Sequence, residues 1–311
     1  LIVTTTAIAP STQLRYQQAR HHAEPVSFDL PWGTMRGLQW GPTDGYPLLA
    51  LHGWLDNCHS FLPLAEEFLQ SDLAGDYRLI ALDWAGHGHS DHRPPGNYYP
   101  FIDYVYDIWS LCQQQQWPQV AIVAHSMGAY AANMLAGIAP ELVSELLAIE
   151  AFGLIATAAD KTTTELRQGF RSRWQQQQKQ PPRYPNLDLA ISARAQAGDF
   201  SRELAALLVE RGIEQFGPEH YQFRADGQLR VSSAVRLTAA QIGDVLAHIE
   251  CPFTVLLGSH GHQRLKTALQ DWREQVPHLR VHEVEGGHHV HMERPDAIIG
   301  YLSQIIRHHN G

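Results

Sequence analysis

Cysteine, basic charge and long apolar runs are all scarce in this chain. Of its 311 residues only three are cysteine. Cys58, Cys112 and Cys251 are odd in number, widely spaced and free of any CxxC pair, which argues against a disulfide framework or a zinc ribbon and suggests a reducing, cytoplasmic compartment. Lysine and arginine together number 23 against 32 acidic residues, a formal charge of -9, so the electrostatic footprint of a nucleic-acid binder is missing. No apolar segment approaches the roughly 20 residues that span a bilayer. Leu1-Ile2-Val3 is apolar, but threonines follow at once and no basic residues precede it, so a signal peptide is not expected.

What the chain does have is a rhythm. Residues 1–25 are polar and rich in Gln and His, and are expected to form a mobile or surface-lying leader. From Val26 to Trp40 two short alternating segments flank Pro31-Trp32-Gly33, which suggests a hairpin. Short apolar runs then recur at 47–51, 77–82, 120–123, 146–149 and 253–257, with helix-length stretches at 61–69, 98–116 and 129–139. Apolar strands alternating with helices imply an α/β fold with a mostly parallel central sheet covered on both faces. The alternation stops after Ile149 and resumes at Phe253. We therefore expect a core formed by residues 26–151 and 250–311, with 152–249 inserted as a helical cap.

One pattern carries chemistry. Ala124-His125-Ser126-Met127-Gly128 follows the apolar run 120–123 and opens the Ala-rich helical stretch. A serine on a sharp strand-to-helix turn has its hydroxyl pushed out at the carboxyl edge of the sheet, where the next backbone NH can hold an oxyanion. Ala124 stands where a glycine is usual, the smallest replacement available. A serine hydroxyl needs a base, and the chain offers 19 histidines. His288 lies in Gly286-Gly287-His288-His289-Val290-His291, just past the last apolar strand and before a terminal helix at 296–307. It is the candidate base, with His289 the competitor one residue on. A surface loop or a metal site is the alternative for this cluster, yet His288-x-x-His291 alone is weak evidence for a metal, because no carboxylate or cysteine cluster completes a coordination set, and no metal is expected. His52-Gly53-Trp54 ends the strand 47–51 and offers the NH of Trp54 as a second oxyanion donor beside the NH of Met127. Trp54, Phe152 and Trp174 are candidate pocket walls. Asp83 to Ser90, with its two glycines, reads as a scaffold loop in which Asp83 holds backbone NH groups.

In these residues the chain resembles the α/β-hydrolases from Val26 onward. The serine turn, His52-Gly53, the loop from Asp83 to Ser90 and the segment from Gly287 to Pro295 occur in the order which that fold uses. His52-Gly53-Trp54-Leu55-Asp56-Asn57 with Ser60-Phe61, and Leu207-Leu208-x-x-Arg211-Gly212, are similar to the serine hydrolase-like subgroup, whose substrates are poorly defined. Many members of the fold place the triad acid after the strand that follows the cap, often in a glycine-x-x-aspartate pattern; here that stretch is Gly258-Ser259-His260-Gly261. Some members carry the acid one strand after the nucleophile instead, and Glu150 ends the run 146–149 at that place. Asp244 and Asp271 fall in helical or cap segments and are weaker candidates.

The resemblance implies a serine hydrolase that needs no cofactor and acts on a small or medium carboxylic ester, thioester or lactone through an acyl-serine. Ser126 would be nucleophile, His288 base, Glu150 the orienting acid, and the NH groups of Met127 and Trp54 the oxyanion hole. The same three residues could serve C–C bond hydrolysis or a lyase reaction, and a ligand-binding protein that kept the pocket without turnover is the reading from another class.

Overall fold

The computed structural model describes residues 15–198, 200–217 and 220–307. Helix α1 (Gln17–His21) leads into β1 (Glu24–Leu30) and β2 (Gly33–Trp40), which pair antiparallel with Leu30 opposite Gly33, so Pro31-Trp32 is the turn of the expected hairpin. Then follow β3 (Tyr46–Leu51), α2 (Leu62–Leu69), β4 (Tyr77–Leu82), α3 (Phe101–Gln115), β5 (Val120–His125), α4 (Met127–Ile138) and β6 (Val143–Ile149). The insertion carries α5 (Thr162–Gln176), α6 (Leu187–Gly198), α7 (Arg202–Gly212), a ribbon of β7 (Ile213–Gln215) and β8 (Tyr221–Phe223), and α8 (Ala239–Ala247). The sheet resumes with β9 (Phe253–Gly258), α9 (Gln263–Trp272) and β10 (Arg280–Val284), and the chain ends in α10 (Val290–Glu293) and α11 (Pro295–Arg307).

The eight-stranded sheet has the order β1-β2-β4-β3-β5-β6-β9-β10, and every pair from β4 to β10 is parallel. Strands buried on both faces alternate between two cores, as their period of two requires. Leu49, Leu51, Ile122, Ala124 and Leu146 pack toward α3, α4 and α8, whereas Leu48, Ala50, Ala121, Val123 and Leu147 pack toward α2 and α11. From β3 the chain steps outward to β4, then back across β3 to β5. The carboxyl ends of β3 and β5 therefore bound the crevice where the winding reverses, the usual place for a site in such sheets.

Two expectations need correction. Residues 1–14 lie outside the described residues, but the rest of the expected leader is packed: Ala19 is fully buried, its NH donates to Glu66 Oε2 and its carbonyl accepts from Trp40 Nε1 at 2.6 Å. Phe152 is also fully buried, against Phe253 at 5.9 Å between ring centroids, and belongs to the core rather than to a pocket wall. The helical insertion also carries the ribbon of β7 and β8, which is too short to show in the sequence pattern.

Candidate active site

The loop after β3 is a tight turn in which Asp56 N donates to Gly53 O at 3.1 Å and Leu55 takes φ 62°. The turn after β5 puts Ser126 at φ 50°, ψ -115° before α4 begins. After β6, Glu150 takes φ 55°. Five non-glycine residues among those described have positive φ, and three of them, Leu55, Ser126 and Glu150, stand at this one sheet edge. Each such conformation costs roughly 1–3 kcal/mol and persists only where surrounding structure imposes it. Gly128 is part of what imposes it: a Cβ there would overlap the carbonyl oxygen of Leu51, so only glycine lets the first turn of α4 lie against the end of β3.

His288 bridges the other two side chains. Its Nε2 is 3.0 Å from Ser126 Oγ and its Nδ1 is 3.1 Å from Glu150 Oε2. Nδ1 donates to the carboxylate, which leaves Nε2 to accept from the hydroxyl. Glu150 is 3% exposed and fully engaged: Gly258 N donates to Oε1 at 2.7 Å, and His262 N donates to Oε2 at 3.0 Å. Burial pushes the Glu150 carboxyl up, but the imidazole of His288 and the two backbone NH groups outweigh it and hold the group below its ordinary value. For His288 burial wins over the carboxylate, so its value lies below the ordinary one and the ring is neutral at pH 7. The ring of His262 packs on it at 4.0 Å.

The acid missing after β9 has its explanation here. A Cβ on Gly261 would overlap Glu150 Oε1. The turn after β9 keeps a hollow at Gly261, and the Glu150 carboxylate reaches in from β6 to fill it.

Trp54 and Met127 leave the sheet at neighbouring places, since Leu51 pairs with Ala124 in the ladder between β3 and β5. Met127 is the first residue of α4, whose first-turn NH groups have no acceptor within the helix. The Trp54 indole is half exposed and donates to Leu229 O of the insertion at 3.1 Å; Trp174, on α5, is more exposed still. Asp83 does hold backbone NH groups, those of Cys58 and His89, both at 2.8 Å, and it also binds Arg211 of α7. His52 and His87 each use both ring nitrogens on neighbouring groups, which fits them as parts of the scaffold.

What sequence reasoning missed is Asp56. Its carboxylate is 3% exposed, takes Arg194 Nη2 of α6 on Oδ1, and lies 3.6 Å from both His125 Nδ1 and His289 Nε2. The histidine-rich segment at 288–291 thus acquires a carboxylate from far along the chain, which no local pattern could reveal.

A serine backed by an imidazole and a carboxylate, on a strand-to-helix turn of a parallel sheet, belongs with the α/β-hydrolase family. The family model described as alpha/beta hydrolase fold matches residues 46–295, and the chain is a member of that family. Within it, the chain is similar to a serine hydrolase-like protein of Danio rerio, 29% identical over 300 residues and covering 93% of this chain and 90% of that one. It is also similar to Esterase YbfF of Escherichia coli (strain K12), 24% identical over 272 residues, 84% of this chain and 92% of that one. Among solved structures, a hypothetical protein from Pseudomonas aeruginosa PAO1 is 34% identical with a TM-score of 0.81, over 91% of this chain and 98% of that one. No helix among the described residues is long and apolar enough to cross a membrane.

Proposed function

We propose that this α/β-hydrolase cleaves small or medium carboxylic esters, thioesters or lactones through an acyl-serine intermediate. The observation that carries the reading is the unbroken chain from Ser126 Oγ through both nitrogens of His288 to Glu150. As Ser126 Oγ bonds to the carbonyl carbon, its proton passes to His288 Nε2, and the carbonyl π pair becomes an oxyanion held by the NH groups of Met127 and Trp54. Collapse of the tetrahedral centre expels the alcohol, thiol or tethered alkoxide, which takes the proton from Nε2. Water then repeats the sequence against the acyl-serine, with His288 again as base, and frees the acid. Glu150 stabilises the imidazolium formed in each half and keeps the proton of the resting ring on Nδ1.

The low proton affinity of His288 suits this role, because the ring must be neutral to begin each step. Loss of one oxyanion donor typically costs about 10²- to 10³-fold in rate. The reading is tested with p-nitrophenyl esters of increasing acyl length and with a fluorophosphonate probe. Ser126→Ala is expected to abolish both turnover and labelling while circular dichroism stays unchanged; full turnover in that variant would end the proposal.

A further inference from the structure

Beside the candidate triad lies a second constellation that the reaction above does not use. Asp56, His125 and His289 are all buried, and one ligand atom from each falls within 4.8 Å of the others. Asp56 Oδ2 and His125 Nδ1 have no hydrogen-bond partner among the described residues. At 3.6 Å, the separations from Asp56 Oδ2 to His125 Nδ1 and His289 Nε2 are too long for direct hydrogen bonds.

The tautomer of His125 sharpens the point. Its Nε2 lies 2.9 Å from the carbonyl oxygen of His288, and a carbonyl only accepts, so Nε2 carries the hydrogen. Nδ1 is then the atom that faces Asp56 Oδ2, and neither finds a hydrogen-bond partner among the described residues. Buried polar atoms left without partners are costly, and an ion held between them would satisfy both. A backbone carbonyl fixing the far nitrogen is also how metal-bound imidazoles are commonly oriented. Bonds of about 2.1 Å in tetrahedral array put neighbouring ligand atoms roughly 3.4 Å apart, close to the 3.6 Å from Asp56 Oδ2 to each of the two imidazole nitrogens.

We propose that Asp56 Oδ2, His125 Nδ1 and His289 Nε2 form a binding site for a divalent ion of the zinc class. Arg194 occupies Asp56 Oδ1 and leaves Oδ2 for the ion. Its positive charge also opposes a dication, so micromolar rather than tighter affinity is expected. The site shares no ligand atom with Ser126, His288 or Glu150, although His125 and His289 are their sequence neighbours.

The test is calorimetric titration of the metal-stripped full chain with zinc chloride, and with cobalt chloride to read the visible bands of low-coordinate cobalt. One ion per chain is expected. Asp56→Asn and His289→Gln should each weaken binding at least tenfold, and Ser126→Ala and Glu150→Gln should bind as the parent does. Should Asp56→Asn fail to fold, His289→Gln carries the test. Absence of saturable binding at one equivalent, or unchanged affinity in His289→Gln, overturns the proposal. Loss of binding in Glu150→Gln but not in His289→Gln would move the ion to the triad and overturn it equally. These outcomes do not depend on whether the protein cleaves esters.

Discussion

Glu150 and Asp56 are both buried carboxylates, both face imidazoles, and the histidines they face include sequence neighbours, His288 for one and His289 for the other. Glu150 receives three donors within hydrogen-bond distance, two from the backbone and one from His288. Asp56 receives one among the described residues, from Arg194, and meets its imidazoles at 3.6 Å. A carboxylate saturated by donors is fixed in place and can only orient its imidazole. One with an oxygen left over can still take a ligand. Asp83 shows the saturated condition without an imidazole bond: two backbone NH groups and Arg211 engage it, and it joins core to insertion.

The largest expected effect separates the two sides directly. Glu150→Gln puts an amide where three donors converge and removes the charge facing the imidazolium; kcat is expected to fall roughly 10³- to 10⁴-fold, as for loss of charge at such an acid elsewhere. Asp56→Asn should cost about tenfold, through the pairing with Arg194 that it weakens rather than through the reaction. Steady-state kinetics on one ester checks both, and equal losses would erase the distinction drawn here. Next in size, Arg211→Met strands Asp83 without its counter-charge. Removing one partner of a buried pair costs roughly 3–5 kcal/mol, read from urea unfolding. Burial pushes Asp83 up, but Arg211, with His52 and the backbone NH groups of His89 and Cys58, brings it down to about 2. Because the folded value lies below that of the unfolded chain, this stability is present at neutral pH and is lost as pH falls toward about 2.

A third experiment moves the acid. Gly261 is at the aspartate position of the common glycine-x-x-aspartate pattern, and a Cβ there would enter the space held by the Glu150 carboxylate. Glu150→Ser combined with Gly261→Asp should therefore recover about 10- to 100-fold of the rate lost in Glu150→Ser alone, a gain of roughly 1.4–2.7 kcal/mol in barrier. No recovery would mean that the hollow positions Glu150 specifically.

Much of this was legible in the sequence because buried parallel strands read as uninterrupted apolar runs, and the residues just past them gather at one edge. Ser126 and Glu150 each follow such a run, and His288 follows the last one, so strand order, together with the likeness to α/β-hydrolases, suggested that they could meet. Asp56 was not legible as a centre, because its neighbours His125 and His289 come from distant loops and only the fold joins them. Nor was Ala19, buried under β2 by contacts that a polar helix of five residues does not announce. Phe152 looked like a pocket wall because it opens the expected cap; the backbone turn at Glu150 and Gly153, both at positive φ, sends its ring into the core instead.

The smallest effect is the most discriminating, because the two carboxylates act on the same imidazole with different force. Burial lowers the proton affinity of His288; against it, the hydrogen bond from Glu150 raises that affinity most, and the charge of Asp56 raises it least. Since burial wins, the acid limb of kcat/KM should lie below the ordinary imidazole value of about 6.5. Removing an opposing negative charge can only favour the neutral ring further. The limb of the residual activity in Glu150→Gln should therefore move to lower pH, and that in Asp56→Asn should move the same way by less. A limb that rises in either variant would contradict these directions, and one that shifts more in Asp56→Asn would show that His288 answers chiefly to Asp56, so that the roles of the two carboxylates would have to be exchanged.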